Sequence, residues 1–342
     1  MQKIRIAIDL GSMNTKCTVF EGKRASLFSR SVTETGHKEI FSEATCLAEA
    51  LYSSAYPFIV GNEAVKERPN DLIYPIRLGS VASMKLLSVY IKHLIKGLIK
   101  RRNISQVEVN VALSRAIGEM RMNHFTRSLK LAGFKDVIVH DTHLMGAIGA
   151  GIDVTEPSAV MLVDIGAGKT GCAAIANGGI IWESVTEHGS DLFNSAIVSF
   201  FKEKKGMIIS DSAAEKIKCA IDSTFFMIDG RTIDTGRAKT VHVEGEELRY
   251  AVEQAVEPIE RAITDAIKAL HPDSVSDLVD TGVVLVGGGA KMAGLPELLS
   301  AKLHIPVRCA DNPETAVIDG MCICASENNG SALKLKTGYA SA

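Results

Sequence analysis

Two β-branched apolar runs, IRIAID at 4–9 and CTVF at 17–20, flank a short segment of Gly, Ser, Asn and Thr, a pattern that predicts a β-hairpin. A third strand is expected at 45–51 and a loop over 68–75. From 84 to 100 the residues Leu87, Tyr90, Ile91, Leu94, Ile95, Leu98 and Ile99 recur at helical spacing. A strand at 107–112, a helix over 119–131 stopped by Gly133, a strand at 137–140 and a helix of small residues to about 151 follow. The stretch DVTEP at 153–157 interrupts that helix, and an apolar strand restarts at 160–164. Further strands are expected at 172–176 and 180–185, with helices at 191–204 and 213–221. A polar, strand-rich insertion then runs to 242, and a long helix over 246–270 is expected to bend at Pro258. A strand at 283–286, a Gly-rich turn, a helix, a strand at 307–310 and a last helix at 314–325 close the pattern. The tail from Asn328 reads as disordered.

The halves start alike. IAIDLGSMNTKCTVF (6–20) and MLVDIGAGKTGCAAI (161–175) both read apolar run, Asp, aliphatic residue, Gly, three residues, Thr, apolar run. Each D-[LI]-G-x-x-x-T hairpin leads into alternating strands and helices, so the chain reads as an internal duplication of α/β class. Two lobes are expected at 1–153 and 154–327, with smaller subdomains at about 22–75 and 205–255 and a tail at 328–342. A length of 342 residues suits two domains.

Composition narrows the options. Hydrophobic residues at 46% and charged residues at 23% describe a soluble globular chain. A net charge of −2 offers no bulk basic field for nucleic acid, which is not expected as a partner. Seven scattered cysteines without a C-x-x-C pair suggest neither a disulfide framework nor a zinc site, and a reducing cytoplasm suits them. A strand beginning at Ile4 leaves no room for a signal peptide, and no apolar run reaches transmembrane length, so membrane contact is expected to be peripheral.

A strand-end carboxylate beside a tight Gly turn has a physical use. Backbone N–H groups in such a turn suit an anion, and the carboxylate can hold Mg²⁺ through water. The alternative is a plain hairpin turn using Gly and Asn for positive φ. The matched repeat favours phosphate binding. GAGKTG at 166–171 is not a Rossmann fingerprint, because a strand rather than a helix follows it, and it is not a P-loop, because the first Gly of that motif would fall on Val163. In VVLVGGGAKMAGLPELL, 283–299, three glycines after a buried strand admit a flat ligand close to the backbone.

Taken together these pieces resemble the actin-like ATPase superfamily and, within it, the bacterial actin MreB family. The resemblance rests on AIGAGIDVTEPSAVMLVDIGAG (147–168), SAAEKIKCAI (212–221), TGRAKTVHV (235–243) and TGVVLVGGGAKMAGLPELLS (281–300). It implies an actin-like, ribonuclease H-like duplicated fold with two lobes around a nucleotide cleft, and ATP with Mg²⁺ as cofactors. It places Asp9 and Asp164 near the metal and phosphates. Gly11, Ser12, Met13, Asn14 and Thr15 would form one phosphate loop, and Gly166, Ala167, Gly168, Lys169 and Thr170 the other. Gly287, Gly288 and Gly289 would line the adenosine, while Glu215 and Lys218, at i and i+3 on a helix, would lie near ribose and base. Lys16 matches a phosphate-binding lysine of eukaryotic actin at a position where MreB usually has an apolar residue. The resemblance also implies head-to-tail filaments of the chain with itself, paired into doublets.

The departures concern hydrolysis. Where MreB usually reads I-E-E-P, this chain reads HDTH at 140–143, so Thr142 replaces the Glu that orients the attacking water, with Asp141 one residue away. A Thr hydroxyl can hold a water but cannot take its proton, and general-base help is worth roughly 10²–10⁴-fold. GAGKTG also loses an acid at Gly171 and gains Lys169, which reaches a phosphate or points to solvent. These changes predict tight binding with slow turnover. His140 and His143, without a third ligand nearby, read as ordinary helix-start residues. The segment KHLIKGLIKRR, 92–102, is either a core helix with a basic face or a contact for the anionic inner membrane surface. Three functions fit: an MreB-type filament scaffolding cell shape or a specialised structure, a monomeric actin-fold kinase of a small molecule, and a nucleotide-binding scaffold that barely hydrolyses.

Overall fold

The structure, a computed structural model, describes residues 4–21, 40–50, 57–99 and 103–327. Its first half runs β1 (Ile4–Leu10), β2 (Asn14–Glu21), β3 (Phe41–Ala44), β4 (Leu47–Glu49), β5 (Phe58–Val60), α1 (Asn62–Glu67), β6 (Ile76–Arg77), β7 (Ser80–Val81), α2 (Met84–Ile99), β8 (Val107–Ala112), α3 (Glu119–Ala132), β9 (Asp136–His140) and α4 (Thr142–Gly149). The second runs β10 (Val160–Ile165), β11 (Thr170–Ala176), β12 (Gly179–Thr186), α5 (Asp191–Lys204), β13 (Met207–Ile208), α6 (Asp211–Cys219), β14 (Phe225–Thr232), β15 (Ala238–Glu244), α7 (Gly245–Ala269), α8 (Pro272–Thr281), β16 (Val283–Val286), α9 (Leu295–Leu303), β17 (Val307–Cys309) and α10 (Ala316–Glu327).

The duplication is visible in the sheets. One has the order β3-β2-β1-β8-β9 and the other β12-β11-β10-β16-β17, the same pattern with a hairpin on one side of the first strand and crossover strands on the other. β1 pairs antiparallel with β2 and parallel with β8; β10 is parallel to β16, and β16 to β17. Such central strands are covered on both faces and read as continuous apolar runs; Val160–Val163 and Val283–Val286 are buried throughout. By compactness one unit holds the described residues up to Pro157, Ile175–Val185 and those from Thr315, and the other holds Ser158–Ala174 and Thr186–Glu314.

In the first unit Ile6 and Ile8 of β1, Val109 and Val111 of β8, Leu87 and Ile91 of α2 and Phe125 and Leu129 of α3 form one apolar core. Gly133, at φ +110°, ends α3 in the left-handed conformation that glycine adopts without strain. Helices α4 and α10 meet backbone to backbone. A methyl group on Gly149 would collide with the Ala316 carbonyl, and one on Gly320 with that of Met145.

Two expectations change. The strand expected at 45–51 is the shorter β4, preceded by the unexpected β3, because the Thr45 amide donates to the Met13 carbonyl and the Cys46 amide to that of Ala44, which turns the chain between them. Helix α8 was not expected: Pro272 occupies its first helical turn, where the missing N–H is no loss, and His271 caps it. The long helix expected at 246–270 runs from Gly245 to Ala269 with Pro258 inside it, and Val256 and Ile259 on either side of the proline are buried. For the segment at 92–102, Leu94, Ile95 and Ile99 are buried in the core while Lys92 and Lys96 are exposed, which favours the core-helix reading. Lys100, Arg101 and Arg102 lie outside the described residues, as do the tail from Asn328 and much of the subdomain expected at 22–75. Among the described residues no helix is long and apolar enough to cross a membrane.

Candidate functional site

The first hairpin turns at Gly11–Met13. Its register sets Lys16 opposite Asp9 and Thr15 opposite Leu10, so the lysine is the cross-strand neighbour of the carboxylate. The turn is tight, and a methyl on Gly11 would strike the Asn14 carbonyl oxygen. Met13 and Asn14 are exposed, while Thr15 is fully buried with its Oγ1 2.9 Å from Thr45 Oγ1. Tyr90 lies in the same pocket; burial pushes its phenol well above the usual tyrosine range against hydrogen bonds with Thr15 and Thr45, which pull it down. Ser12 Oγ accepts from the Gly79 amide at 3.0 Å, tying the turn to the β6–β7 hairpin. Thr15 therefore anchors the turn from below, and what the turn presents outward is Ser12, Met13 and Asn14.

The second hairpin is closed by Gly166 N–H donating to the Lys169 carbonyl at 2.9 Å. It is also fastened to the start of α5, where the Ser190 and Asp191 amides donate to the Gly166 and Ala167 carbonyls, each at 2.9 Å. Gly189 makes this approach possible, since a methyl there would meet the Ala167 carbonyl and, at 2.6 Å, the Lys169 nitrogen. Thr170 is fully buried, and its Oγ1 has no hydrogen-bond partner among the described residues. Lys169 is half-exposed.

The Gly-rich turn after β16 lies against this hairpin. A methyl on Gly287 would sit 2.5 Å from Asp164 Oδ1 and from the Ile165 carbonyl, and one on Gly289 would strike Ile165 Cγ2 and come within 2.9 Å of Ser190. Gly287 also needs φ +86°. Gly288 faces open space. The structure thus brings Asp164, Gly166–Thr170, Gly287 and Gly289 together within the second unit, with Gly288 as the open edge of the shelf.

Glu215 and Lys218 form a pair on α6, Nζ to Oε2 at 2.6 Å, and Asn194 of α5 donates to the same Oε2 at 2.9 Å. Lys218 is buried and Glu215 half-exposed. Burial raises the Glu215 carboxyl, but the hydrogen bonds from Lys218 and Asn194 outweigh it and hold the group below the usual range. Nearby Asp191 is pushed up by burial, with Lys218 opposing.

At the start of α4, Asp141 is the N-cap: its Oδ1 accepts from the His143 and Leu144 amides at 2.9 and 3.1 Å. Burial pushes this carboxyl up. Thr142 is the first helical residue and is buried. His140 and His143 do not act as a pair. His140 Nε2 bonds Asn110 Oδ1 at 2.8 Å, and His143 Nδ1 meets Glu183 Oε2 at 3.0 Å, with Ser114 Oγ donating to the same oxygen at 3.1 Å. Sequence reasoning missed Glu183, 40 residues away on β12, and Gly189–Ser190, although Gly-Ser-Asp before an apolar helical run is a helix-start signal.

Comparison with known proteins bears on the whole chain. A family profile described as MreB/Mbl protein matches residues 3–332. The cell shape-determining protein Mbl of Bacillus subtilis is 28% identical over 92% of this chain and 93% of its own. The cell shape-determining protein MreB of Escherichia coli is 27% identical over 92% of this chain and 91% of its own. Among solved structures, MreB 5 of Spiroplasma citri bound to AMPPNP aligns with a TM-score of 0.79 at 22% identity, covering 94% of this chain and 95% of that one. The MamK double helical filament aligns at 0.73 and 17% identity, over 95% and 99%. These structural likenesses show the actin-like α/β fold. The duplicated hairpins, the matching sheets and a profile match over nearly the full length lead to one conclusion: the chain belongs to the MreB/Mbl family.

Proposed function

We propose that this chain is an MreB-like cytoskeletal protein that binds ATP with Mg²⁺, assembles with copies of itself head to tail into paired filaments, and scaffolds cell shape or a specialised structure. The observation that carries the reading is the pair of D-[LI]-G-x-x-x-T hairpins, each closed tightly around glycine and each leading the same strand order. The relatives are named as cell shape-determining proteins, and a structural neighbour is bound to AMPPNP. A monomeric kinase is not favoured by this company.

Gly11–Thr15 and Gly166–Thr170 are proposed as the phosphate loops and Gly287–Gly289 as the adenosine shelf, with Glu215 and Lys218 near ribose and base. The donor set fits: Gly287 leaves no room for a side chain beside Asp164, and Thr170 holds a buried hydroxyl without a partner among the described residues. Asp9 and Asp164 are the proposed holders of Mg²⁺, which when bound neutralises phosphate charge. Lys16 and Lys169 are proposed to add positive charge beside the phosphates.

The chain is proposed to divide into lobes at 1–153 and 154–327, each carrying one of the two hairpins. Turnover is proposed to be slow. Thr142, at the position where the MreB pattern has the water-orienting Glu, cannot accept the proton of an attacking water. Membrane contact through residues 92–102 would rest on Lys92, Lys96 and the basic residues after Ile99, since the apolar residues of that helix lie in the core.

The test is sedimentation with ATP, with AMPPNP and without nucleotide, alongside phosphate release. ATP-dependent pelleting with release at least about 100-fold slower than from Escherichia coli MreB is expected. Release at the ordinary rate, unchanged by Thr142→Ala, overturns slow turnover; absence of pelleting under every condition overturns the filament.

A further inference from the structure

Within the first unit, three metal-ligating side chains from two elements converge. Asp141 caps α4, His143 lies in its first turn, and Glu183 reaches them from β12; one donor atom of each lies within 4.8 Å of the others. His143 Nδ1 and Glu183 Oε2 are 3.0 Å apart. Ligands held at 2.0–2.2 Å in a tetrahedron stand about 3.4 Å from one another, so this edge already has nearly the required spacing. An independent observation points to a ligand. Asp141 is 6% exposed, and its Oδ2, buried, has no hydrogen-bond partner among the described residues while Oδ1 takes both capping amides. A buried carboxylate oxygen left this way costs free energy until a proton or a cation satisfies it.

We propose that Asp141, His143 and Glu183 bind one divalent cation of the zinc class. One imidazole nitrogen with two carboxylate oxygens suits Zn²⁺, Mn²⁺ or Fe²⁺ better than Mg²⁺, which prefers an all-oxygen shell and keeps its waters. The three donors leave a fourth position for water, and Ser114, which donates to Glu183 Oε2, orients that carboxylate. On binding, the ion takes the Nδ1 lone pair of the neutral imidazole, whose single proton then sits on Nε2, so no net proton is lost. The site pins the start of α4, and with it Thr142, to β12. It does not depend on the nucleotide reading.

The full chain, stripped with EDTA, is titrated with Zn²⁺ against a chromophoric indicator and with Co²⁺ while the emission of Trp182, the single tryptophan and the neighbour of Glu183, is followed. One ion per chain, bound more tightly than about 10 μM, with quenching of Trp182 by Co²⁺, is expected. Glu183→Gln and His143→Gln should each weaken binding by at least about tenfold, whereas Cys219→Ser, at the exposed cysteine, should leave it unchanged. Ser114→Ala keeps all three ligands and should retain saturable binding. Thermal melts of the stripped variants confirm that they are folded. Absence of saturable binding by the wild-type chain, or binding unaltered in folded Glu183→Gln, overturns the proposal.

Discussion

The two hairpins share a motif but are held in place differently. At the position two residues beyond the threonine they agree: Cys17 and Cys172 are both buried, and burial pushes each thiol up to about 12, reinforced by Glu43 and Asp164 respectively. At the threonine itself they part. Thr15 has its hydroxyl paired with Thr45, whereas the Thr170 hydroxyl is buried without a partner among the described residues. The first turn is held from its own sheet and from β6–β7, the second by the amides that open a helix. A repeated motif therefore fixes the shape of a turn, while what holds the turn is settled by neighbours far away in the chain. The first turn is satisfied as it stands, and the second keeps an unmet hydrogen bond.

The sharpest way to break this contrast is Gly189→Ala. The new methyl would force the start of α5 off Ala167 and Lys169, with backbone on the other side that cannot swing away. A loss of about 2–3 kcal/mol is expected from overpacking of this kind, read as a lower urea midpoint, together with loss of ATP binding. An unchanged midpoint would show that the helix does not hold the second turn.

Next come the threonines. Thr15→Val deprives Thr45 of a buried partner and should cost about 1 kcal/mol in urea unfolding. Thr170→Val removes a polar atom with nothing to bond, so the nucleotide-free chain should be unchanged or gain up to about 1 kcal/mol, while nucleotide affinity falls. Equal losses from both substitutions would erase the distinction between the turns.

Much of this was legible in the sequence, for identifiable reasons. The repeat, the central strands and α2, α3 and α5 stand out because burial on one or both faces imposes an apolar period, and Gly133 announces where α3 stops. The turn at Thr45 was not legible, because the sequence FSEATCLAEAL carries no Gly, Pro or Asn and does not reveal that the Thr45 amide will donate to Met13. Helix α8 was hidden behind Pro272, whose role depends on whether it opens or interrupts a helix. Of the candidate site, the glycines were readable from chemistry, since only they admit such close backbone approach. Their collision partners, and the contact of Glu183 with His143, come from strand order across 40 residues and have no local signature.

The smallest effect concerns Glu215, which joins α6 to α5 in the half that carries the unmet hydroxyl. Its carboxyl is raised by burial, yet Lys218 and Asn194 win and hold it below its ordinary value of 4.5. A group whose folded pKa is depressed binds fewer protons when folded. Its stabilisation is therefore present above the unfolded value and drains away as pH falls through the folded one. The wild-type chain should lose melting temperature below about pH 4.5 more steeply than Glu215→Gln, which has no proton to take up there. Because Glu215 is half-exposed, solvent screens the pair and the difference should be slight. Lys218 makes the measurement informative, for it is buried with this carboxylate as its closest acid. Glu215→Gln should consequently be less stable at neutral pH and converge on the wild type in acid. Parallel melting curves across the range would mean that Glu215 is held no more tightly folded than unfolded, and that the two helices are joined by packing alone.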